Sequence, residues 1–149
     1  MSNNPHQDSE LYRVIIETRK LFHTLAEAST ELNKESGITA SMRAVMETLF
    51  TNHTMTVPDI ARHKNVTRQH IQQIINELLV RELVHALENP AHKRSPLIRL
   101  SQNGTEQFKS ILHREKQLLA SLAKQFDEQE LQDAANILES IRSVFDSSA

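Results

Sequence analysis

Apolar residues recur at helical spacing over most of the chain. Over residues 9–31 they lie three or four positions apart and form one broad stripe. The same spacing predicts a second helix capped by Thr39, after a break at Gly37, and two long helices that begin near Ser101 and Asp127. Representative stripe positions are Leu11, Leu21, Phe22 and Leu25; Met42, Val45, Met46 and Leu49; Phe108, Ile111, Leu118 and Leu122; and Leu131, Leu138, Ile141 and Phe145.

The middle of the chain predicts shorter elements. A polar link over residues 51–55 precedes a third helix, which opens with a capping box between Thr56 and Asp59 and ends near His63. A fourth helix follows over about residues 67–81, with a regular stripe of isoleucines and leucines.

Two strand-like segments come next, Leu83–Leu87 and Leu97–Leu100. The stretch between them, Glu88–Pro96, contains the turn signal Asn89-Pro90, so we predict a β-hairpin with a long basic tip. The pattern as a whole indicates a mainly α fold of about six helices: a winged helix-turn-helix with a small β-hairpin wing and long terminal helices.

The third and fourth helices have the residue pattern of a helix-turn-helix. Two helices that cross steeply need a small residue where they touch, and four positions later the turn needs a residue that tolerates a left-handed backbone. An apolar residue then plugs the turn, and two isoleucines bury the second helix against the first. These positions hold Ala61, Asn65, Val66, Ile71 and Ile74.

The fourth helix presents a polar face that carries no acidic residue until Glu77. Gln and Asn can pair with adenine, and Arg with guanine, in the major groove, and the first residues of a recognition helix usually read bases. Basic residues in the hairpin tip can reach phosphate or the minor groove. The predicted DNA-binding residues are Thr67, Arg68, Gln69, His70, Gln72, Gln73 and Asn76 on the helix, and His92, Lys93, Arg94 and Ser95 in the tip.

Composition and charge narrow the possible functions. The 149 residues include two glycines, which argues against a β-rich fold, and no cysteine, which excludes cysteine nucleophiles and thiol redox switching. The net charge is −2, but residues 52–100 hold seven Lys and Arg against four Asp and Glu, between two acidic ends. No apolar run approaches the ~20 residues of a membrane span, and no signal-peptide core is present, so we expect a cytoplasmic protein without a membrane partner.

The terminal helices carry more apolar surface than one small domain can cover. We therefore expect one domain, residues 1–149, in which residues 9–50 and 101–146 form a homodimer interface and residues 51–100 form the DNA-binding region. Residues 1–8 are predicted to be a disordered tail. A twofold dimer suits DNA because it sets two recognition helices about 34 Å apart. The alternative is a monomer whose terminal helices pack on each other.

On these residues the chain resembles the MarR family of transcriptional regulators over nearly its whole length. The most specific segments are Ile60–Leu83 and Asn89–Gly104; the second holds the wing and then Leu100–Gly104, which is similar to the family's Leu-Ser/Thr-x-x-Gly pattern. The resemblance implies an obligate dimer that binds palindromic duplex DNA, usually as a repressor. It also implies release of the DNA by a small-molecule effector, often aromatic or anionic.

Two positions depart from the family pattern. The family often has an acidic residue two positions before the wing arginine, where it orients the guanidinium, but His92 stands there before Arg94. We therefore expect the orientation of Arg94 to differ and to respond to pH. The recognition helix commonly ends in Arg-Gly, whereas this chain has Arg81-Glu82 and must end the helix without a glycine.

Three alternative functions draw on the same residues. An enzyme could draw on eight His and nineteen acidic residues, but the chain has no Gly-rich phosphate loop, nucleophile elbow or His-Glu-x-x-His motif, so no catalytic residue or cofactor is predicted. A winged helix could instead bind a protein partner without specific DNA binding. A regulator could also sense a metal through histidines, although none are paired three or four residues apart on one helix. The operator, the effector and the direction of regulation stay open.

Overall fold

The computed structural model describes residues 9–148, so the tail predicted over residues 1–8 lies outside the described part. The chain divides into two compact units between Ile111 and Leu112. Within the described residues the fold is mainly helical, with six α-helices and a small antiparallel sheet of three strands. The predicted class, a winged helix-turn-helix with long terminal helices, is confirmed.

The first unit contains most of the elements. In chain order they are helix α1 (Glu10–Leu32), a 3₁₀ turn (Lys34–Ser36), α2 (Ala40–Asn52), strand β1 (Thr54–Thr56), α3 (Val57–Lys64), α4 (Arg68–Val80), β2 (Val84–Leu87), β3 (Leu97–Leu100) and the first half of α5 (Gln102–Ala123). The second unit holds the rest of α5 and α6 (Glu128–Ser147). No helix of the described part is long and apolar enough to cross a membrane.

An aliphatic core lies at the centre of the first unit. Helices α2, α3 and α4, the sheet and the start of α5 all bury apolar side chains there, and this packing makes a firm support for α4. Among the largest fully buried side chains are Met46, Ile60, Ile71, Ile75, Leu78, Leu83, Ile98, Phe108 and Ile111.

The sheet has one strand more than the sequence predicted. Strand β3 lies in the centre and pairs antiparallel with β2 on one side and β1 on the other, with Met55 opposite Ile98. The prediction of a polar link over residues 51–55 is therefore wrong, since α2 continues to Asn52 and β1 begins at Thr54. A three-residue strand is too short to show a period of two, and its pairing partner is distant in sequence.

The turn between α3 and α4 follows the predicted backbone. Asn65 adopts the left-handed conformation, with φ 52° and ψ 47°, and Ala61 is buried as expected. The prediction that Val66 plugs the turn is wrong, because this side chain is 41% exposed. Backbone hydrogen bonds close the turn instead: the N–H of Val66 donates to the Ala61 carbonyl at 3.0 Å, and that of Asn65 to Arg62 at 3.1 Å.

Helix α4 ends by the same backbone device without glycine. Glu82 is in the left-handed region with φ 56°, its N–H donates to the Leu79 carbonyl at 2.9 Å, and the N–H of Leu83 donates to Leu78 at 2.9 Å. These two bonds form a Schellman motif, in which glycine is usual at the position of Glu82. The chain therefore accepts backbone strain here to complete the helix end.

Replacing Glu82 with Gly should stabilise the protein by about 0.5–1 kcal/mol. A non-glycine residue in the left-handed region costs about 1–2 kcal/mol, and the greater freedom of glycine in the unfolded chain offsets part of that gain. Thermal unfolding at one fixed protein concentration measures the change. Glu82→Ala is the matched control, because it removes the same side chain and keeps the strain. An equal rise in Tm for both variants would show that strain is not the cause.

Hydrogen bonds fasten the start of α5 to the end of α4. The N–H of Ser101 donates to the Leu83 carbonyl at 3.0 Å, and its hydroxyl donates to the Glu82 carbonyl at 2.7 Å while accepting from the N–H of Gly104 at 2.8 Å. A Cβ on Gly104 would lie 1.9 Å from the Leu83 carbonyl oxygen. The Leu-Ser-x-x-Gly pattern thus has a physical basis: the serine hydrogen-bonds the start of α5 to the chain after α4, and the glycine leaves room for the Leu83 carbonyl.

Candidate nucleic-acid interface

Helix α4 separates a buried face from an exposed one. Its apolar side packs on α2, α3 and β2, and Thr67 caps its first turn by accepting a hydrogen bond from the N–H of His70 at 3.2 Å. The face predicted to contact DNA is exposed throughout: Thr67, Arg68, Gln69, His70, Gln72, Gln73 and Asn76. The isoleucine pattern of the sequence therefore predicted correctly which side of α4 points away from the core.

Two amides on the exposed face are joined to each other. The Nε2 of Gln72 donates to the Oδ1 of Asn76 at 2.9 Å, across one turn of the helix. The spacing of the two residues makes the bond possible, but nothing in the sequence selects it over solvation of both side chains. It is the one hydrogen bond between two side chains of this face in the described residues.

The hairpin tip is held by Asn89, which the sequence marked only as part of a turn. Its Nδ2 donates to the Ser95 carbonyl at 2.8 Å, and its Oδ1 accepts from the N–H of Ala91 at 3.2 Å. A further bond runs from the N–H of Ser95 to the His92 carbonyl at 3.0 Å. These bonds order the backbone that carries the basic residues, while the side chains of His92, Lys93 and Arg94 are exposed and Ser95 is half-buried.

A cleft of about 260 Å³ brings the start of α4 and the end of the hairpin tip together. The predicted residues that line it are Arg68, Gln69 and Gln72 from α4, and Arg94 and Ser95 from the tip. The first residues of α3 and the proline after the tip complete the wall; these are Val57, Pro58 and Pro96. The other predicted residues do not line this cleft: Thr67, His70, Gln73, Asn76, His92 and Lys93.

The charges around the cleft are unevenly paired. The hydroxyl of Thr56 donates to the carboxylate of Asp59 at 2.7 Å and Arg62 pairs with the same group, so the pKa of Asp59 lies below its usual value. Arg62 therefore has a carboxylate partner. In contrast, Arg68 and Arg94 make no ion pair with any carboxylate of residues 9–148. Two uncompensated guanidinium groups beside neutral amides favour a polyanionic partner.

The histidines do not assemble into a metal site in the described part of the chain. No group of three His, Asp or Glu side chains comes together there in an arrangement that could hold a metal ion. His70 on α4 and His92 in the hairpin tip are both exposed. The pH-dependent orientation of Arg94 stays a prediction.

Comparison with known proteins gives three matching proteins by sequence and many solved chains by structure. No family model matches the chain. An uncharacterized protein of Mycobacterium tuberculosis, Rv2011c, is 30% identical over 105 residues, which is 70% of this chain and 73% of that protein.

Among solved structures, a MarR family transcription regulator, SP03579, superposes with a TM-score of 0.86 at 25% identity and covers 98% of this chain and 97% of its own. Staphylococcus aureus MarR in complex with salicylate and kanamycin has a TM-score of 0.83 at 11% identity, covering 93% and 95%. A mutant MarR from E. coli complexed with operator DNA has a TM-score of 0.71 at 21% identity, covering 89% and 99%. At these lower identities the likeness is one of fold.

Proposed function

This chain belongs to the MarR family of transcription regulators, and we propose that it acts by binding a palindromic double-stranded operator as a homodimer. The observation that carries the proposal is the cleft in which Arg68 and Gln72 of α4 face Arg94 of the hairpin. Three side chains able to contact DNA converge there from two elements, without a carboxylate paired to either arginine in the described residues.

Each element has its own role in the proposal. Helix α4 enters the major groove, where its predicted exposed residues face base edges, and the tip residues His92 to Ser95 contact phosphate or the adjacent minor groove. The helix residues are Thr67, Arg68, Gln69, His70, Gln72, Gln73 and Asn76. The fold similarity to the mutant E. coli MarR, which is complexed with operator DNA, supports this arrangement. In domain terms, residues 51–100 form the DNA-binding region of a single domain spanning residues 1–149.

The homodimer is supported by unburied apolar surface. Neither α1 nor α6 buries a single described residue within the chain, although both carry apolar stripes. A second copy would cover these stripes, with residues 9–50 and 101–146 as the interface. The exposed apolar side chains are Leu11, Leu21, Phe22 and Leu25 on α1, and Leu131, Ile137, Leu138, Val144 and Phe145 on α6.

The regulatory part of the proposal is repression relieved by a small-molecule effector. Its support is family membership, together with the similar fold of Staphylococcus aureus MarR, which is in complex with salicylate and kanamycin. The proposal assigns the chain no catalytic activity and no cofactor. It places the protein in the cytoplasm, as the sequence predicts.

A salt series on two duplexes tests DNA binding. The purified protein is titrated against the intergenic DNA upstream of its own gene and against random duplex of equal length. Tight binding to the first at dimer stoichiometry, with affinity falling steeply as salt rises, is expected. Weak binding to both duplexes, followed by failure of a genome-wide DNA selection, would instead favour a winged helix that binds a protein partner. Release of the operator by salicylate or another aromatic anion tests the effector step.

Replacing Arg94 with Ala should weaken binding to operator and random duplex alike. The tip arginine is expected to contact phosphate or the minor groove, so its loss should lower the slope of log affinity against log salt by about one contact. Fluorescence anisotropy at four or more salt concentrations measures that slope. Lys116→Ala, which removes an exposed cation from the middle of α5, serves as the control. An unchanged slope in the Arg94 variant would contradict the predicted contact.

Replacing Arg68 with Ala should instead weaken operator binding selectively. If Arg68 reads a base in the major groove, operator affinity should fall by ~1–3 kcal/mol while random-duplex affinity falls less. The ratio of the two dissociation constants, measured at one salt concentration, reports the effect. Equal losses on both duplexes would assign Arg68 to the phosphate backbone.

A further inference from the structure

We infer that Gln72 is the adenine-reading residue of α4 and that Asn76 positions its amide before DNA arrives. The inference deepens the proposed function and rests on it. The juxtaposition behind it is the hydrogen bond from the Nε2 of Gln72 to the Oδ1 of Asn76, at 2.9 Å on the exposed face of the helix.

The chemistry of adenine explains why the direction of this amide matters. In the major groove adenine presents N7 as an acceptor and the N6 amino group as a donor, so a reader must offer N–H and C=O side by side. The Nε2 of Gln72 has two hydrogens, and one is given to Asn76. The other hydrogen and Oε1 stay available. Flipping the Gln72 amide alone would set two oxygens against each other, so a flip requires Asn76 to turn as well, and this coupling restrains which edge of Gln72 carries the donor.

Position on the surface separates the roles of the two residues. Gln72 lines the cleft beside Arg68 and Arg94, where the proposed duplex contacts converge, whereas Asn76 lies one turn further along α4 and does not line it. A free glutamine loses rotamer freedom when it binds, and holding it in place beforehand lowers that cost. Within the described residues Gln69 and Gln73 make no such hydrogen bond, so their amides are not held in one orientation before DNA binds.

The test is selection of binding sequences from a library of duplexes with a random centre. The full-length protein and its variants are compared by their preference ratio, the enrichment of A·T over G·C at each position. In the Gln72→Ala variant the preference ratio should fall about 5- to 150-fold at one A·T position of each half-site. Asn76→Ala should lose about two- to tenfold at that same position and leave the others unchanged.

Two further variants exclude a merely structural role for Asn76. Asn76→Asp keeps the Oδ1 acceptor, so it should retain the preference ratio even though its negative charge weakens binding to every duplex. The double variant Gln72→Ala/Asn76→Ala should show no greater loss of preference than Gln72→Ala alone. Val80→Ala is the control: Val80 is exposed at the end of α4, one turn beyond Asn76 and outside the predicted DNA-binding residues, so this variant should leave the position unaltered.

The outcomes distinguish this inference from the function on which it rests. Wild-type protein that enriches no sequence would overturn both. A wild-type motif that Asn76→Ala leaves unchanged, or that Asn76→Asp and Asn76→Ala alter equally, would overturn the positioning role alone. A Gln72→Ala variant that loses preference at a G·C position, or at none, would overturn the adenine assignment.

Discussion

Replacing Gly104 with Ala is expected to lower the free energy of unfolding by about 2–4 kcal/mol. In the first turn of an exposed helix this change would ordinarily stabilise, because Ala is favoured over Gly by about 1 kcal/mol. Here the new Cβ would lie 1.9 Å from the carbonyl oxygen of Leu83, which is main chain of a fully buried residue. Moving the new Cβ and the Leu83 carbonyl oxygen apart costs about 1–3 kcal/mol, as overpacking does. The movement also strains the hydrogen bonds of Ser101, each of which contributes about 1 kcal/mol.

Urea unfolding measured at fixed protein concentration gives the change in free energy. Asn103→Ala is the matched control, since Asn103 is exposed in the same turn of α5 and should change stability by no more than about 0.5 kcal/mol. A Gly104→Ala variant as stable as wild type would mean that α5 can shift away from Leu83 at little cost. The clash would then not account for glycine in the Leu-Ser-x-x-Gly pattern.

Local turn chemistry was the most predictable part of the fold. The left-handed Asn65, the Thr67 cap and the burial of Ala61 each depend on residues within a few positions, and the structure confirms all three. The end of α4 shows the limit of this reasoning. Glu82 takes the same left-handed position as Asn65, but Glu does not favour that conformation, so only packing beyond the turn decides that it is adopted there.

Non-local pairing was the part that the sequence could not predict. Strand β1 exists because the free edge of β3 lies beside it, and Met55 and Ile98 meet only once the intervening helices have folded. A segment of three residues is too short for its alternation of polar and apolar residues to predict a strand. The exposure of Val66 has a similar origin, because backbone hydrogen bonds close the turn without a side-chain plug, and hydrophobicity alone does not reveal them.

For the candidate site, the sequence predicted which side of α4 is exposed and which residues it carries. It did not predict how these residues are arranged relative to the hairpin tip and to each other. The isoleucine stripe determines which side of α4 is exposed, so every predicted residue there could be named from spacing. The cleft between Arg68 and Arg94 depends on where the hairpin tip folds back, which Asn89 controls through its bond to Ser95. The direction of the Gln72 amide depends on a single hydrogen bond, and solvation of the two side chains competes with it.

Two charges placed on the apolar stripe of α6 should separate the proposed dimer and reduce operator affinity by about 10²–10⁴-fold. Leu138 and Phe145 lie seven residues apart on α6, and both are exposed within the chain. Against a second copy they would be buried, and an unpaired carboxylate buried there is costly. The variant Leu138→Glu/Phe145→Glu should therefore be monomeric. A monomer engages one half-site, so it loses the effective concentration that links the two recognition helices.

Analytical ultracentrifugation and operator titration measure the two effects. The control Asn136→Glu/Ser143→Glu adds the same charges with the same spacing to exposed polar positions of α6, and should stay dimeric. Far-UV circular dichroism shows whether the monomer keeps its helices. The Tm of the wild type should also rise with protein concentration, because dimerisation stabilises by mass action. A double variant that remains dimeric, or a wild-type Tm independent of concentration, would mean that the stripe of α6 is not a dimer interface and that another contact must set the spacing of the recognition helices.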